Sequence, residues 1–230
     1  MNEVRQTLSI IMPCRNEEQT VGICIDDAIR MMAGNGISGQ VIVVDNGSSD
    51  ASAVVAARHG ATVISEDRPG YGLAIRAGLA AATGDIIIIG DCDTTYDFAE
   101  AYTIYEMLSG GKYDMVIPYR SRDKMQKGAM SLSHIIGAGF LSYIARLRFG
   151  SDVRDFHCGL RGLTKAALGK IKLHTQGMEF ASEMIAEAKR CDLRIGQFPI
   201  TLRKCTYPRR SKLRAVRDGM RHLLYIIKTH

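Results

Sequence analysis

The chain has 230 residues, 46% of them hydrophobic and 23% charged, with a formal net charge of +6. That balance excludes a disordered or low-complexity chain, fits a single α/β domain with a sizeable core, and suits an anionic partner such as a nucleotide, a polyphosphate or an acidic membrane surface. No apolar run reaches the ~18 residues of a spanning helix, six cysteines without a C-x-x-C spacing give no zinc or thioredoxin-like signature, and residues 1–14 lack a secretory pattern, so a cytoplasmic setting is expected.

Leu8–Met12 is a short apolar run that stops at Pro13 and reads as a buried strand. Asn16, with Gln19 completing a capping box, opens a helix that runs to Gly34 with Val21, Ile25, Ala28, Ile29 and Met32 on its inner face. Gln40–Val44 is a second strand, closed by Asp45-Asn46-Gly47; Ser48–Arg58 follows as a helix and Ala61–Ser65 as a third strand. A loop with Pro69-Gly70-Tyr71-Gly72 leads into a helix through Ala82, and Asp85–Ile89 is the fourth and most apolar strand. Asp97 and Glu100 form a second capping box, ahead of a helix with Phe98, Ala101, Tyr102, Tyr105 and Leu108 on one face. Tyr113–Pro118 is a fifth strand. Beyond it, Lys124–Ser133 reads as a mobile loop, His134–Leu147 as a strongly apolar helix, and Asp155–Leu163 as a polar turn. Gly177–Lys189 is a helix with Glu179 and Glu183 on one side, Arg194–Thr201 a strand, and Val216–Ile227 an amphipathic helix in a basic tail.

Apolar strands alternating with helices imply an α/β fold of the Rossmann-like kind: a mostly parallel sheet with helices on both faces. In such sheets ligands sit beyond the carboxyl ends of the strands. Three loops therefore stand out: Pro13–Glu17, Asp45–Asp50 and Asp91–Thr95. In Asp91-Cys92-Asp93 the two carboxylates, two residues apart at a strand end, point to the same face. Like charges so close call for a cation between them, and Mg²⁺ or Mn²⁺ would take its remaining ligands from substrate phosphate. A solvated turn is the alternative. Asp45 would accept hydrogen bonds from a base or ribose, or else help to cap the next helix. A dinucleotide-binding dehydrogenase is excluded, because Pro13-Cys14-Arg15-Asn16-Glu17 stands where a G-x-G-x-x-G would have to be.

Taken in order, Pro13-x-x-Asn16-Glu17-Glu18, Val44-Asp45-Asn46-Gly47-Ser48-x-Asp50, Gly70-x-Gly72, Ala82-x-Gly84-Asp85 and Asp91-x-Asp93 resemble the family 2 glycosyltransferases. Asp155-x-x-Cys158-Gly159-Leu160-Arg161 and Arg209-Arg210-Ser211-Lys212-Leu213 extend the resemblance to the dolichyl- or polyprenyl-phosphate mannose and glucose synthase branch, over roughly residues 8–215. The resemblance implies a GT-A fold and inverting, metal-dependent transfer of a hexose from a UDP- or GDP-linked donor, with a nucleotide-binding half of about 1–120 and an acceptor half of about 121–230. It implies that Pro13, Arg15 and Glu17 line the nucleotide, with Val44, Asp45 and Asn46 near the base. Asp91, Cys92 and Asp93 would meet diphosphate and metal, Thr95 stands at the place of a further metal ligand, and Arg120, Arg209, Arg210 and Lys212 would contact phosphate.

A phosphate acceptor is already ionised, whereas a hydroxyl acceptor needs a general base, for which Glu183, Glu179 and Asp155 are the candidates. The acceptor is thus a polyprenyl phosphate or, alternatively, a soluble glycan or small metabolite. His157 is read as a buried structural histidine or as a metal or phosphate contact. The helix His134–Leu147 either dips into a membrane interface, as a peripheral contact, or is a core helix or dimer contact. Nucleic acid is not an expected partner, since Tyr207 and Tyr225 are the tail's only aromatics. A nucleotidyltransferase would need a Gly-rich loop after the first strand, which is missing.

Overall fold

The structure, a computed structural model, describes residues 6–205, 207 and 215–228, the last stretch with side chains from 218 onward. In the first half β1 (Leu8–Cys14), α1 (Val21–Gly34), β2 (Gly39–Asp45), α2 (Ser52–Arg58), β3 (Thr62–Ser65), α3 (Tyr71–Ala81) and β4 (Ile86–Ile89) alternate. A 3₁₀ turn at Phe98–Glu100 then runs into α4 (Ala101–Ser109), followed by β5 (Met115–Val116), β6 (Tyr119–Met125), α5 (Leu132–Phe149) and β7 (Arg161–Thr164). The chain ends with α6 (Lys165–Leu168), α7 (Phe180–Arg190), β8 (Ile195–Gly196), β9 (Pro199–Leu202) and α8 (Ala215–Lys228). Seven strands form one sheet in the order β3-β2-β1-β4-β7-β5-β8; β6 and β9 pair in parallel as a second, two-stranded sheet.

The period of two along each strand divides the core in two. Leu8, Ile10 and Met12, with Val41, Val43, Ile86 and Ile88 beside them, pack under α1 and α4 against Val21, Ile25, Phe98 and Ile104. Ile11, Ile42, Val44, Ile87 and Ile89 face the other way, onto Ala74 and Ile75 of α3 and Phe180, Met184 and Ile185 of α7. Parallel registers such as Leu8↔Gly39 and Leu8↔Ile86 keep the two sets aligned across β2, β1 and β4. β1 lies between β2 and β4, so the chain turns toward β2 on one side and reaches β4 on the other, and the crevice between their carboxyl ends is a topological switch point.

Several expected elements differ. Asn16 does not cap α1: it sits at φ +52°, and the helix begins after Thr20. On α1, Cys24 and Met31 are buried while Ile29 is exposed. The expected helix from Ser48 starts at Ser52, because Asp50 turns back to accept the Ser52 amide at 3.0 Å. Asp97 caps its turn by accepting from Ala99, but Glu100 closes no box; it accepts from Thr201 in β9. The fifth strand shrinks to two residues, and the supposed loop after it begins as β6. The expected strand over 194–201 is two, β8 and β9. The polar turn conceals β7, which runs antiparallel between β4 and β5. Its Arg161 is buried, with the guanidinium donating to the carbonyls of Phe156, Cys158 and Ala181, so a charged residue satisfies backbone where the sequence suggests solvent.

Three late helices meet at a pair of histidines, His157 half-buried and His222 buried. His157 lies 4.6 Å, centroid to centroid, from His222 of α8, edge to face; the two rings contact Ser142 of α5 and Ser182 of α7 respectively. Burial pushes the His157 imidazole down to about 3, helped by the neighbouring His222, and that of His222 to about 4, against the opposing pull of Glu179 and Asp218. In the unfolded chain both would titrate near 6.5. Below that pH the unfolded state binds protons that the folded state refuses, so stability is full above about pH 6.5 and falls as pH drops toward the folded values. Denaturant titrations are expected to show a loss on the order of 2 kcal/mol per ring between pH 7 and pH 5. His222→Asn, which keeps a polar group near Ser182, should flatten that slope.

Candidate functional site

β1, β2 and β4 end side by side, and each delivers a loop into the switch-point crevice. β4 stops at Ile89, so Asp91-Cys92-Asp93 lies in the loop beyond it, and strand alternation is not what aims its carboxylates. They are aimed by the turn itself. Thr94 takes φ +64°, a left-handed conformation costing a β-branched residue about 1–3 kcal/mol. The Thr95 amide donates to Asp93 Oδ1 at 3.0 Å, joined there by its hydroxyl. Thr95, expected as a metal ligand, is therefore a holder of Asp93. The Tyr71 hydroxyl donates to Asp91 Oδ1 at 3.3 Å, and the Gly159 Cα lies so close to the Asp91 carboxylate that any Cβ there would strike it. Burial and the Asp91 charge push the Tyr71 phenol well above its usual range, so it stays a donor. Cys92 points inward, 2% exposed, against Cys14, and offers the crevice only backbone.

Among the described residues no group of three or more His, Cys, Asp and Glu makes a metal cage. The donor set is two adjacent carboxylates, one of them buried and fixed by Thr95. That fits a hard divalent cation completing its shell with diphosphate and water, not an all-protein site.

The loops after β1 and β2 are stitched together. The Asn16 amide donates to Ser48 Oγ (2.9 Å), the Ser49 amide to Asn16 Oδ1 (2.7 Å) and the Glu17 amide to Ser52 Oγ (2.7 Å). Arg15 is exposed at this mouth, Pro13 is half-buried, and Glu17 is buried, accepting from Thr20. Two expected base contacts change. Val44 is fully buried on the opposite side of the sheet, where a Cβ on Gly78 would come within 3.1 Å of it. Asn46 clamps the third loop: its amide donates to the carbonyls of Glu66 and Arg68 and accepts from the Gly70 amide, all at 2.8 Å. Asp45, by contrast, accepts only long bonds among the described residues, from the Ser48 amide at 3.3 and 3.4 Å, and retains acceptor capacity at the crevice.

The second half contributes a belt around Gly159, whose amide donates to the Tyr96 hydroxyl at 2.8 Å. Arg120 and Asp155 form a two-pronged ion pair at 2.6 and 2.8 Å, each side chain only about a tenth exposed. Burial would raise the Asp155 carboxyl, but the Arg120 charge and hydrogen bonds outweigh it and hold it at about 2. Both Asp155 oxygens are thus taken by donors, and the Arg120 charge is balanced by that carboxylate. Glu183 is likewise surrounded by donors. Its two oxygens accept from the amides of His174 and Thr175 and from the Thr175 hydroxyl, fixing the loop that abuts Gly70 and Gly72. Glu179 differs: Oε1 accepts from Gly177 and Arg221, while the buried Oε2 has no hydrogen-bond partner among the described residues. His157 is half-buried and contacts Ser142 and His222. Arg209, Arg210 and Lys212 lie outside the described residues. Tyr71 and Tyr96 are the site neighbours that no motif singles out, the adjacent Gly70 and Gly72 being the one local signal for Tyr71; Gly159 stands in the Cys158-Gly159-Leu160-Arg161 motif, which gives no sign of its approach to Asp91.

Residues 9–172 match the family described as Glycosyl transferase family 2. The low-salt glycan biosynthesis hexosyltransferase Agl6 of Haloferax volcanii is 35% identical over 229 residues, 98% of this chain; the chain spans about half, 54%, of that protein's length. A dolichyl-phosphate hexose transferase of the same organism is 29% identical, over 86% of this chain and 83% of its own. Among solved structures, glucosyl-3-phosphoglycerate synthase from Mycobacterium tuberculosis in complex with Mn²⁺, uridine-diphosphate-glucose and phosphoglyceric acid superposes with a TM-score of 0.76 at 23% identity, covering 96% of this chain and 78% of its own. That likeness fixes the fold as GT-A.

The Arg120–Asp155 pair makes a separable prediction. Asp155→Asn leaves a buried guanidinium without its counter-charge and should cost about 3–5 kcal/mol in denaturant unfolding. The double change Arg120→Met with Asp155→Leu should recover most of that loss.

Proposed function

The chain belongs to glycosyl transferase family 2, and from that premise we propose that it moves a hexose from a UDP- or GDP-linked donor to a polyprenyl phosphate. The observation that carries the acceptor half is the state of the carboxylates: Asp155 and Glu183, two of the three candidate bases, are fully engaged by donors. A phosphate acceptor needs no base. Its ionised oxygen attacks the anomeric carbon, the bond from that carbon to the donor diphosphate breaks, and the nucleoside diphosphate leaves with the electron pair. The dolichyl-phosphate hexose transferase among the relatives supports the same acceptor class.

On the donor side Asp45 receives hydrogen bonds from the nucleoside and Arg15 stands at the mouth near the phosphates. Asp91 and Asp93 are the residues that would hold Mg²⁺ or Mn²⁺, which when bound neutralises the charge gathering on the departing diphosphate. Tyr71 and Gly159 keep Asp91 in place, and Thr95 keeps Asp93 in place. The second reading, a hydroxyl acceptor, is favoured by one observation: among the described residues Glu179 keeps a buried oxygen without a hydrogen-bond partner, as a base would. The glucosyl-3-phosphoglycerate synthase structure in complex with phosphoglyceric acid, a small molecule bound by a protein of the same fold, supports this second reading.

Calorimetric titration with UDP, GDP, UDP-glucose and GDP-mannose, with Mn²⁺ and with EDTA, is expected to show metal-dependent binding of one nucleotide class. Asp93→Ala should abolish it, and Thr95→Val, which only frees Asp93 to turn, should weaken it by about 10–100-fold. No binding of any of the four would overturn the donor assignment. Glu179→Gln separates the acceptors: transfer to polyprenyl phosphate should continue, and a loss of turnover with donor and metal binding intact would favour the hydroxyl reading.

A further inference from the structure

α5 inverts the usual amphipathic rule. Its exposed large hydrophobic side chains are Leu132, Ile136, Phe140, Tyr143 and Leu147, between 53% and 70% exposed. At about 100° per residue they fall within an arc of about 80°, one stripe along the whole helix. α8 repeats the pattern with Met220, Leu224 and Ile227, between 45% and 59% exposed. The two helices pack on one another, and their buried sides, Ser142 of α5 and His222 of α8, both touch His157. The stripes, opposite those buried sides, thus face outward together on one side of the molecule. Isolated exposed apolar residues need no explanation, but a two-helix apolar face does.

We propose that this face is a docking surface for an anionic lipid bilayer, with α5 and α8 lying in the interface plane. Charge selects this occupant. Residues 119–150, which carry α5, hold six Lys and Arg against one acid, Asp123; residues 203–228, which carry α8, hold nine against one, Asp218. With 30 basic and 24 acidic residues in the whole chain, the remainder has 15 basic and 22 acidic and is net negative. The excess positive charge of the sequence therefore lies in the two segments that bear the apolar stripes, and it persists after Arg120, Lys124, Arg203 and Arg221 are set against their partners Asp155, Glu100, Asp97 and Glu179. Arg146 and Arg148 end α5 and Lys228 ends α8. Arg146 sits over the Tyr143 ring at 5.9 Å, placing a cation beside an aromatic at the rim, where headgroup phosphates would lie. A second copy of the chain on the same face would bring these cations against themselves, which opposes self-association there. Among the described residues no helix is long and apolar enough to cross a membrane, so the contact is one of lying on the surface.

The inference deepens the polyprenyl-phosphate reading, but its test reads membrane binding and not transfer. The full chain is sedimented with vesicles of phosphatidylcholine alone and with phosphatidylglycerol added. Binding is expected only with the anionic lipid and should weaken as salt rises. Phe140→Glu in α5 and Leu224→Glu in α8, both exposed and so harmless to folding by circular dichroism, should each reduce the partition by about tenfold or more. Nucleotide binding in the absence of vesicles should be unchanged in both, so a failed donor assignment is recognised separately. Failure of the native chain to bind anionic vesicles overturns the proposal, as does binding that both variants retain. A concentration-dependent dimer in sedimentation velocity, dissolved by Phe140→Glu, would assign the face to a second copy instead.

Discussion

The contact on which the site depends is the approach of Gly159 to Asp91. The motif that ends β4 and the loop that leads into β7 come from opposite halves of the sequence, and they meet where there is room for a hydrogen and not for a methyl group. That approach is held from behind. Arg120 grips Asp155, Asp155 accepts from the His157 amide, Arg161 gathers three carbonyls of the same stretch and of α7, and the Tyr96 hydroxyl accepts from Gly159 itself. These polar groups are buried or largely so, and burial makes each bond worth more because the unpaired alternative is so costly. A loop of glycine, cysteine and charge thereby becomes as rigid as a strand, and continues into one.

The first half was legible because its physics is local. Apolar runs such as Leu8–Met12 and Ile86–Ile89 cannot be anything but buried, and the period of two then assigns their faces. The end of each run gave the crevice, and with it Asp45, Asp91 and Asp93. What misled were residues whose partners lie far off in sequence. Asn16 reads as a helix cap but serves the loop of Ser48 and Ser49, and Asn46 reads as a base contact but clamps Glu66, Arg68 and Gly70. β7 was hidden because Gly159, Gly162 and Arg161 signal a turn by composition; only the antiparallel slot between β4 and β5 turns them into a strand.

The acids make the same point more sharply. Asp155, Glu179 and Glu183 are chemically alike and were indistinguishable as bases in sequence. A carboxylate's role depends on how many donors surround it, and the donors here are backbone amides and guanidinium groups supplied by other elements. Glu183 takes amides and a hydroxyl from the loop before its own helix and becomes a bracket; Asp155 takes a guanidinium and becomes half of a salt bridge. Asp93 lies at the other extreme, oriented by its nearest neighbours through a strained turn. Strain beside a motif, with no packing gain to account for it, is a better pointer to function than the acid itself.

The proposed lipid face and the proposed acceptor constrain one another through His157. α5 and α8 present their stripes outward and rest their buried sides on this residue, which stands two positions before Gly159 and therefore next to the contact with Asp91. No signal need travel for this to matter. A polyprenyl phosphate keeps its chain in the bilayer and its phosphate at the surface, so it can meet the donor only if the crevice is held at that surface in a fixed orientation. A loop shared between the proposed docking helices and Asp91 supplies such an orientation by geometry alone. A soluble acceptor would gain nothing from it, and for that reason an apolar face on these two helices, rather than elsewhere on the molecule, weighs toward the lipid-linked acceptor.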